Sequence, residues 1–306
     1  MRIIHSTLDW VRTRAADNSR GILLMAGGTL LTTATLVFIR LLGRDLPTAE
    51  IIFLRYAFAF LAIAPWILRV GIGNTFATSR LRLHGIRGAI ATISTGAWYY
   101  AITVVPLAQA LALNCLAAIF VTVGAVVFLG EKADVRRWTA VLTGLFGAWI
   151  ILRPGFEAVS TGSMIVVCSA VGWGATMLFI KVLVRIDSPL TIVAYLYVFN
   201  MIYSAVPAAL VWETPSLTHV TWLVVIGLLS SLGHLAIAQA FKEGDATAVV
   251  PADFTRLAWA ALLGYVVFSE IPDVWTIAGA LVIFASTTLL AFLEARGPRA
   301  NSRGPA

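Results

Sequence analysis

The stretch "ATLVFIR", residues 34–40, returns in the second half of the chain as "ATMLFIK", residues 175–181, with four of the seven positions identical. The correspondence extends to "VVFLGEKADV" at residues 126–135, which matches "VVFSEIPDV" at residues 266–274. Matching stretches in the same order in both halves indicate an internal duplication. We therefore interpret the chain as two copies of one structural unit.

The amino-acid composition is that of a membrane protein. The chain has 306 residues, of which 59% are hydrophobic and 12% charged, and its mean hydropathy is +0.90. Soluble domains contain about 45–50% apolar residues, and a soluble core of this size would need more charged residues for its polar surface. The composition therefore predicts an integral membrane protein.

Ten apolar segments are long enough to cross the hydrocarbon core, which takes about 20 residues of helix. They lie at residues 21–41, 48–68, 84–104, 108–130, 137–153, 163–182, 189–211, 219–240, 247–268 and 274–293. These segments predict an all-α fold of ten transmembrane helices. We expect five-helix units at residues 21–154 and 161–294, a cytoplasmic arm at 1–20 and a cytoplasmic tail at 295–306. The arm is predicted to be either an amphipathic surface helix or a disordered tail.

Lysine and arginine residues indicate how the chain crosses the membrane, because positively charged loops resist translocation. With a cytoplasmic N-terminus, 17 of the 22 lie on the cytoplasmic side, and only Arg40, Arg44 and Arg153 lie on the other. The remaining two, Arg55 and Arg256, lie inside spans. We therefore expect both termini in the cytoplasm. Topology accounts for the net charge of +7, so nucleic acid is not a predicted partner.

Five spans per unit is an odd number, so the two units are expected to enter the membrane in opposite orientations. Inverted repeats are typical of secondary transporters, in which two similar halves open a central site to each side in turn. A duplication that only enlarged a helical bundle is the alternative. No H-E-x-x-H, G-x-S-x-G or P-loop pattern occurs, so the sequence does not predict an enzyme. A channel or a scaffold protein is a further alternative.

Four short motifs carry a resemblance to a known family. They are "GE" at Gly130-Glu131, "SE" at Ser269-Glu270, the spacing from Pro47 to Arg55, and "VVPADFTRLAWAALLGYVVFSE" at 249–270. In this order, and with the duplication, the chain resembles the EamA-type transporters of the drug/metabolite transporter superfamily over residues 21–293. The resemblance implies ten helices around a central cavity and the movement of a small organic metabolite across the bacterial cytoplasmic membrane.

The resemblance does not name a substrate, because members of this family carry amino acids and their derivatives, S-adenosylmethionine, riboflavin or metallophores. We expect a zwitterionic or heteroaromatic metabolite, with export of amino-acid derivatives or metallophores as the alternative. No cofactor or metal is expected, and the lipid bilayer is the other partner. Monomer and homodimer both stay open, since the small residues Ala140, Gly144 and Ala148 suit close packing within one chain or between two.

Asp253 and Arg256 are two ionisable residues in the middle of the ninth predicted span. Counted from Ala246, they lie about 10 and 15 Å into the membrane on one helix face. An unpaired ion there costs at least about 2.5–3.5 kcal/mol. Either Arg256 binds an anionic part of the substrate while Asp253 titrates or accepts a cationic part, or the two form a permanent internal salt bridge. Asn114, the equivalent of Asp253 in the first unit, is expected either to line the same cavity or to join helices structurally.

Two further residues inside spans are candidates. Arg55, about 10 Å deep in the second span, either contacts substrate, or extends to the membrane surface, or pairs with Glu50. Its equivalent in the second unit is Tyr197. His234, in the middle of the eighth span, is either a proton relay together with Asp253 or a histidine bonded to a backbone carbonyl.

Aromatic side chains complete the candidate site. Those expected near it are Trp98, Tyr99, Trp173, Tyr195 and Tyr197. Flat rings stack on planar or cationic substrates, and ordinary packing in the bundle is the alternative for each residue. Together they favour a substrate that carries a ring.

Overall fold

The computed structural model is all-helical over the residues that it describes, which are 2–130, 135–153, 160–183, 185–243 and 252–296. Its helices are α1 (Arg2–Leu42), α2 (Thr48–Val70), α3 (Ile72–Thr75), α4 (Leu81–Val104), α5 (Leu107–Asn114), α6 (Leu116–Leu129), α7 (Val135–Leu152), α8 (Thr161–Leu183), α9 (Pro189–Leu210), α10 (Leu217–Glu243), α11 (Thr255–Phe268) and α12 (Val274–Arg296). All ten predicted segments contain helix, which confirms the fold class. Among the described residues, five stretches satisfy the requirement for crossing a membrane by length and composition: Ser19–Leu42, Thr48–Val70, Leu107–Phe128, Thr161–Ile180 and Pro189–Leu210.

Two predicted spans are interrupted where the sequence analysis expected continuous helices. The fourth consists of α5 and α6, which meet at Cys115. In the described part of the ninth, Phe254 interrupts the helix in the same way. These two residues are 139 positions apart, as are Asn114 and Asp253, so the interruptions are equivalent in the two units.

The N-terminal arm is part of the first helix. Helix α1 begins at Arg2 and continues without interruption to Leu42, so residues 2–20 extend the first helix. A second difference lies in the connection at 69–83, which contains the short helix α3. These additions leave the order of the ten predicted segments unchanged.

The contacts between helices are symmetric: when each helix is replaced by its counterpart from the other unit, an equivalent contact is found. The contact of α1 with α10 corresponds to that of α8 with α4, and the contact of α1 with α11 corresponds to that of α8 with α6. The pairs α2 and α9, and α7 and α12, each join a helix to its own counterpart, and the contact of α5 with α11 joins the fourth predicted span to its counterpart, the ninth. The two units are therefore related by an approximate two-fold axis that passes between these three pairs.

Counterpart helices run antiparallel. The start of α2 meets the end of α9, where the Glu213 N–H donates to Glu50 Oε2 at 3.0 Å. The start of α5 meets the end of α11, where the Leu107 N–H donates to Glu270 Oε2 at 2.9 Å. An ion pair likewise joins the end of α7 to the start of α12. Because each helix lies head to tail against its counterpart, the predicted inversion of the two units is confirmed.

The end of the bundle at which α1 ends and α2 begins is joined across the two units, and we call it the arginine-poor end. It carries the connections 43–47, 105–106, 211–216 and 269–273. Arg40 pairs with Glu270 at 2.6 Å and lies 4.2 Å above the Phe268 ring. The sequence suggests that Glu270 binds amides of the following turn, but its partners are Arg40 and the free N–H group of Leu107 at the start of α5. The equivalent Glu131 lies outside the described residues.

Small residues allow α7 and α12 to approach closely. A Cβ atom on Gly279 would lie 2.5 Å from the backbone oxygen of Gly147. One on Gly144 would lie 2.1 Å from a side chain of α6. Ser286 of α12 donates to the backbone oxygen of Ala140, which is fully buried. The small-residue pattern of the fifth span therefore serves contacts within the chain.

We expect Gly279→Ala to lower the melting temperature, because the new methyl group collides with backbone and forces the two helices apart. Overpacking of this kind costs about 1–3 kcal/mol. Gly27→Ala is the matched control, since a Cβ atom there meets nothing within 4 Å and alanine favours a helix. Thermal unfolding of both purified variants tests the expectation, and an unchanged melting temperature for Gly279→Ala would contradict the close crossing.

Asp273 begins α12 at the arginine-poor end, outside the spans. Its carboxylate accepts a hydrogen bond from the Thr276 N–H at 2.7 Å and forms an ion pair with Arg153 of α7. Burial alone would raise the pKa of Asp273, but the hydrogen bonds from Thr276 and the charge of Arg153 outweigh it and hold the pKa below its ordinary value. The ionised form of Asp273 therefore stabilises the fold.

Because the pKa of Asp273 is lower in the folded state, its contribution is fully present above the ordinary pKa of an aspartate and is lost as the pH falls through the lowered value. Asp273→Asn keeps the helix-capping oxygen and removes the charge. We expect the melting temperature of this variant to lie below that of the wild type at about pH 7. The difference should shrink as the pH falls to about pH 3. Melting curves across this range provide the measurement, and a difference that does not vary with pH would exclude the ionic contribution.

Candidate functional site

A cavity of about 280 Å³ lies between the two units. Helices α1, α2, α4, α5, α8, α10 and α11 contribute to its wall, together with the residue that precedes Phe254. The predicted site residues that line it are Arg55, Trp98, Tyr99, Asn114, Trp173, Asp253 and Arg256. The structure thus brings together, from both units, side chains that are up to 201 positions apart in the sequence.

Asn114 and Asp253 reach this cavity next to the two helix interruptions. The Cys115 N–H is shared between the backbone oxygens of Leu111 and Ala112, each at 3.2 Å. In α11 the Leu257 N–H bonds to the oxygen of Phe254, three residues earlier, at 2.9 Å. The first is shared between an α-helical and a 3₁₀ bond and the second is a 3₁₀ bond, and such tighter turns are common at hinges and functional sites. The repeat therefore puts one polar side chain beside each interruption.

Among the described residues, Arg256 makes one long ion-pair contact and one weak hydrogen bond to a sulfur atom. Its Nη2 atom lies 3.5 Å from Asp253 Oδ2 and 3.4 Å from the Cys115 sulfur. Strong charge-assisted hydrogen bonds are about 2.7–2.9 Å long. Among the described residues, nothing accepts a hydrogen bond from the buried Nε atom. The side chains of Arg256 and Asp253 are each 32% exposed, so both ions of the pair are open to the cavity.

Cys115 is a neighbour of the site that the sequence analysis did not identify. It lies in an apolar run and is 3% exposed, so it resembles a core residue. The available signals were its position directly after Asn114 and its equivalence to Phe254, which directly follows Asp253. Its contact with Arg256 joins the two units near the axis.

Arg55 does not pair with Glu50, and that alternative is wrong. Glu50 is fully buried and accepts a hydrogen bond from the backbone of Glu213. The Arg55 guanidinium carbon instead lies 5.4 Å from the centre of the Tyr99 ring and 5.7 Å from that of Tyr56. In the part of the chain that the structure describes, no carboxylate lies within ion-pairing distance of Arg55.

Tyr195 and Tyr197 are not among the residues that line the cavity. The Tyr195 hydroxyl donates to the backbone oxygen of Phe76 at 2.7 Å, and its ring stacks on His84 at 4.6 Å. Tyr197 packs against Tyr56 with ring centres 5.7 Å apart, so it supports the cavity wall from behind. Spacing alone does not show that α9 packs on α2 and α4 and contributes no residue to the lining of this cavity.

His234 lies in α10, but its side chain is outside the described part of the structure. The prediction that it relays protons therefore stays a prediction. Within the described residues, no group of three or more His, Cys, Asp or Glu side chains is arranged to hold a metal ion.

Hydroxyl groups form a part of the wall that the sequence analysis missed. They belong to Thr32, Thr33, Thr35, Thr95, Ser230 and Tyr56. Some of these hydroxyls already form hydrogen bonds within the protein. The Thr35 hydroxyl donates to the Leu31 backbone oxygen at 3.0 Å, and the Thr95 hydroxyl lies 3.4 Å from the Tyr56 hydroxyl. The available signal was "TLLTTATL" at residues 29–36, a threonine-rich stretch in an apolar span.

Two inverted helical units around a polar cavity define a multi-pass membrane transporter. The chain belongs to the EamA-like transporter family, which matches it twice, over residues 19–153 and 160–292. This is a family of transporters and not of enzymes.

Relatives with known activities match nearly the whole chain. A riboflavin transporter of Vibrio cholerae serotype O1 is 32% identical over 257 residues, which cover 83% of this chain and 86% of the relative. An S-adenosylmethionine uptake transporter of Rickettsia bellii is 28% identical and covers 86% and 90% of the two chains. A pseudopaline exporter of Pseudomonas aeruginosa is 27% identical and covers 88% and 95%. A solved crystal structure at 18% identity has the same fold, with a TM-score of 0.62 over 93% of this chain and 99% of the other.

We expect Arg256→Gln to destabilise the protein, because it removes the nearest cation from the Asp253 carboxylate inside the membrane. The expected loss is about 1–2 kcal/mol, since the pair is partly exposed to the cavity. The double variant Arg256→Gln with Asp253→Asn removes both charges and should recover part of this loss. Thermal unfolding of the wild type, both single variants and the double variant gives the coupling energy. Strictly additive losses would mean that the two ions do not interact.

Proposed function

We propose that this protein is a secondary transporter that moves a small organic metabolite across the bacterial cytoplasmic membrane by alternating access. The observation that carries this proposal is the polar cavity between the two inverted units. Arg55 and Asn114 line it, and neither makes an ion pair or a side-chain hydrogen bond with another described residue. Polar groups with unused hydrogen-bonding capacity inside a membrane protein are suited to a bound solute.

Both termini are proposed to lie in the cytoplasm, with the repeat units at residues 21–154 and 161–294. Seventeen lysines and arginines on one side against three on the other support this orientation. The side with three such residues is the arginine-poor end, which carries Arg40, Arg44 and Arg153. Arg40 and Arg153 each bind a carboxylate of the opposite unit there. This end is accordingly proposed to face away from the cytoplasm.

The proposed substrate is a zwitterionic or heteroaromatic metabolite. Trp98, Tyr99 and Trp173 provide ring faces in the cavity wall. Arg256 and Asp253 provide one charge of each sign, and their long mutual contact leaves both able to bind a substrate. Riboflavin and S-adenosylmethionine, which the relatives carry, both contain a heteroaromatic ring. Export of a metallophore is the second candidate, favoured by the similarity to the pseudopaline exporter.

Alternating access requires the contacts at the arginine-poor end to separate in one of the two states. The Arg40–Glu270 pair joins α1 of the first unit to the end of α11 in the second. The interruptions at Cys115 and Phe254 lie between this end and the opposite one, so they are proposed hinges. Asp253 beside one hinge is the proposed proton-coupling group, with His234 as a second candidate.

Transport in proteoliposomes tests this function. We expect saturable uptake of labelled riboflavin or S-adenosylmethionine and counterflow against preloaded unlabelled substrate, which a channel does not support. Arg256→Gln should reduce uptake by about tenfold or more, because a hydrogen bond to a charged group is worth about 1.5–3 kcal/mol. Arg69→Gln, at an exposed arginine outside the cavity, is the matched control and should transport normally.

Two results would contradict the proposal. One is conductance without saturation or counterflow. The other is full uptake by Arg256→Gln in vesicles that contain the same amount of protein as the wild type.

A further inference from the structure

Arg55 and Tyr99 form one corner of the cavity, which we call the Arg55–Tyr99 corner. The guanidinium carbon of Arg55 lies 5.4 Å from the centre of the Tyr99 ring, so the charge rests against an aromatic face. A second ring, that of Tyr56, lies 5.7 Å from the same carbon. Within the described chain, Arg55 has these rings and no carboxylate as partners. Contacts with rings leave the N–H donors of the guanidinium unused.

The Tyr99 hydroxyl is unsatisfied in the same corner. Tyr99 is 2% exposed and lines the cavity, and its hydroxyl oxygen has no hydrogen-bond partner among the described residues. Tyr56 is buried to a similar degree, but its hydroxyl reaches Thr95. A buried hydroxyl is normally hydrogen-bonded, because leaving it unpaired after desolvation is costly. Tyr99 therefore has hydrogen-bonding capacity that the fold itself does not use.

Arg55 and Tyr99 together are complementary to a particular kind of ligand group. A guanidinium donates several hydrogen bonds in one plane and accepts none. A phenol beside it adds one further donor. The complementary group has two adjacent acceptors in a plane, as in a carboxylate or in a ring carbonyl beside an unprotonated ring nitrogen. The surrounding aromatic rings suit a ligand in which that group is attached to a flat ring.

The charges of the cavity add a second constraint. Among the described residues, its lining contains two guanidinium groups, Arg55 and Arg256, and one carboxylate, Asp253. This described lining therefore has one excess positive charge, in surroundings where charge interactions are weakly screened. This excess attracts a net neutral or anionic ligand with acceptor groups and repels a net cation.

We infer that the Arg55–Tyr99 corner is the subsite for the planar acceptor group of the substrate, and that it makes this transporter select net neutral or anionic ring compounds over net cations. The inference rests on the proposed function and narrows its substrate class. Riboflavin, a neutral flavin in which ring carbonyls lie beside unprotonated ring nitrogens, satisfies both constraints. S-adenosylmethionine also carries a carboxylate, but its sulfonium group makes it a net cation at neutral pH, so it fails the charge constraint.

Ligand binding to the purified full-length protein tests the subsite. The probes are riboflavin, tryptophan as a ring compound with a carboxylate, and S-adenosylmethionine. Binding is measured by calorimetry and by the rise in melting temperature that a ligand of the folded state produces. We expect riboflavin or tryptophan to bind at least about tenfold more tightly than S-adenosylmethionine.

Three variants separate the parts of the corner. Arg55→Gln removes the charge and should lower the affinity for the preferred probe, riboflavin or tryptophan, by about tenfold. The affinity for S-adenosylmethionine should stay the same or rise. Arg55→Lys keeps the charge but not the planar donor pair. It should therefore lower the affinity for the preferred probe while keeping the discrimination against S-adenosylmethionine. Tyr99→Phe preserves the ring packing and should lower the affinity for the preferred probe only. The control is Tyr203→Phe, whose hydroxyl bonds to the Gly85 backbone oxygen outside the cavity.

The outcomes distinguish this inference from the proposed function. Equal binding of all three probes, or preferred-probe affinities unchanged by Arg55→Gln and Tyr99→Phe, overturns the subsite even if the protein transports and depends on Arg256. Absence of binding and of uptake for every probe overturns both proposals. Should Arg55→Gln fail to fold, Tyr99→Phe alone decides, because it removes a single unpaired oxygen.

Discussion

The cost of placing an ion in hydrocarbon is the constraint on which the rest of this structure depends. An unpaired charge at the depth of Asp253 and Arg256 costs at least about 2.5–3.5 kcal/mol. The two inverted units meet this constraint by facing each other, so that both ions, and Arg55, open into a shared cavity instead of lipid. The apolar faces of the same helices are left for the membrane.

The inversion also determines where the strong contacts lie. Counterpart helices run head to tail, so the free N–H groups at the start of one helix meet a carboxylate at or near the end of the other. Leu107 with Glu270 is such a contact; in a second contact, the Glu213 N–H beyond the end of α9 meets the Glu50 carboxylate at the start of α2, and both contacts lie at the arginine-poor end. In the cavity, by contrast, the described contacts of Arg256 are a long one to Asp253 and a weak hydrogen bond to the Cys115 sulfur. A firmly joined end beside a weakly paired cavity is an arrangement in which a solute can bind without first breaking the strongest interactions.

Local patterns predicted the elements well and some contacts poorly. The Asp253–Arg256 spacing placed two ions on one helix face, and the duplication pointed to Asn114, because these depend on helix geometry and repeat spacing. The prediction that Tyr195 lies near the site depends on its depth and on a helix expected to face the cavity, and neither says which side of a helix meets which neighbour. Its hydroxyl instead bonds to the backbone before α4. The partner of Glu270 comes from α1, 230 positions away, so no local pattern could identify it.

The sequence by itself determined the membrane location, the duplication, the inversion and the presence of ions in the spans, since these follow from hydropathy, the odd span number and the positions of charged residues. Only the tertiary structure decided that Cys115 touches Arg256, that Arg55 lies on aromatic rings and not beside Glu50, and that the Tyr99 hydroxyl has no partner among the described residues. The physical reason is that a helix specifies the direction of each side chain relative to its own axis. The rotation of that axis in the bundle is set by the packing of all helices together, and this rotation selects the groups that meet.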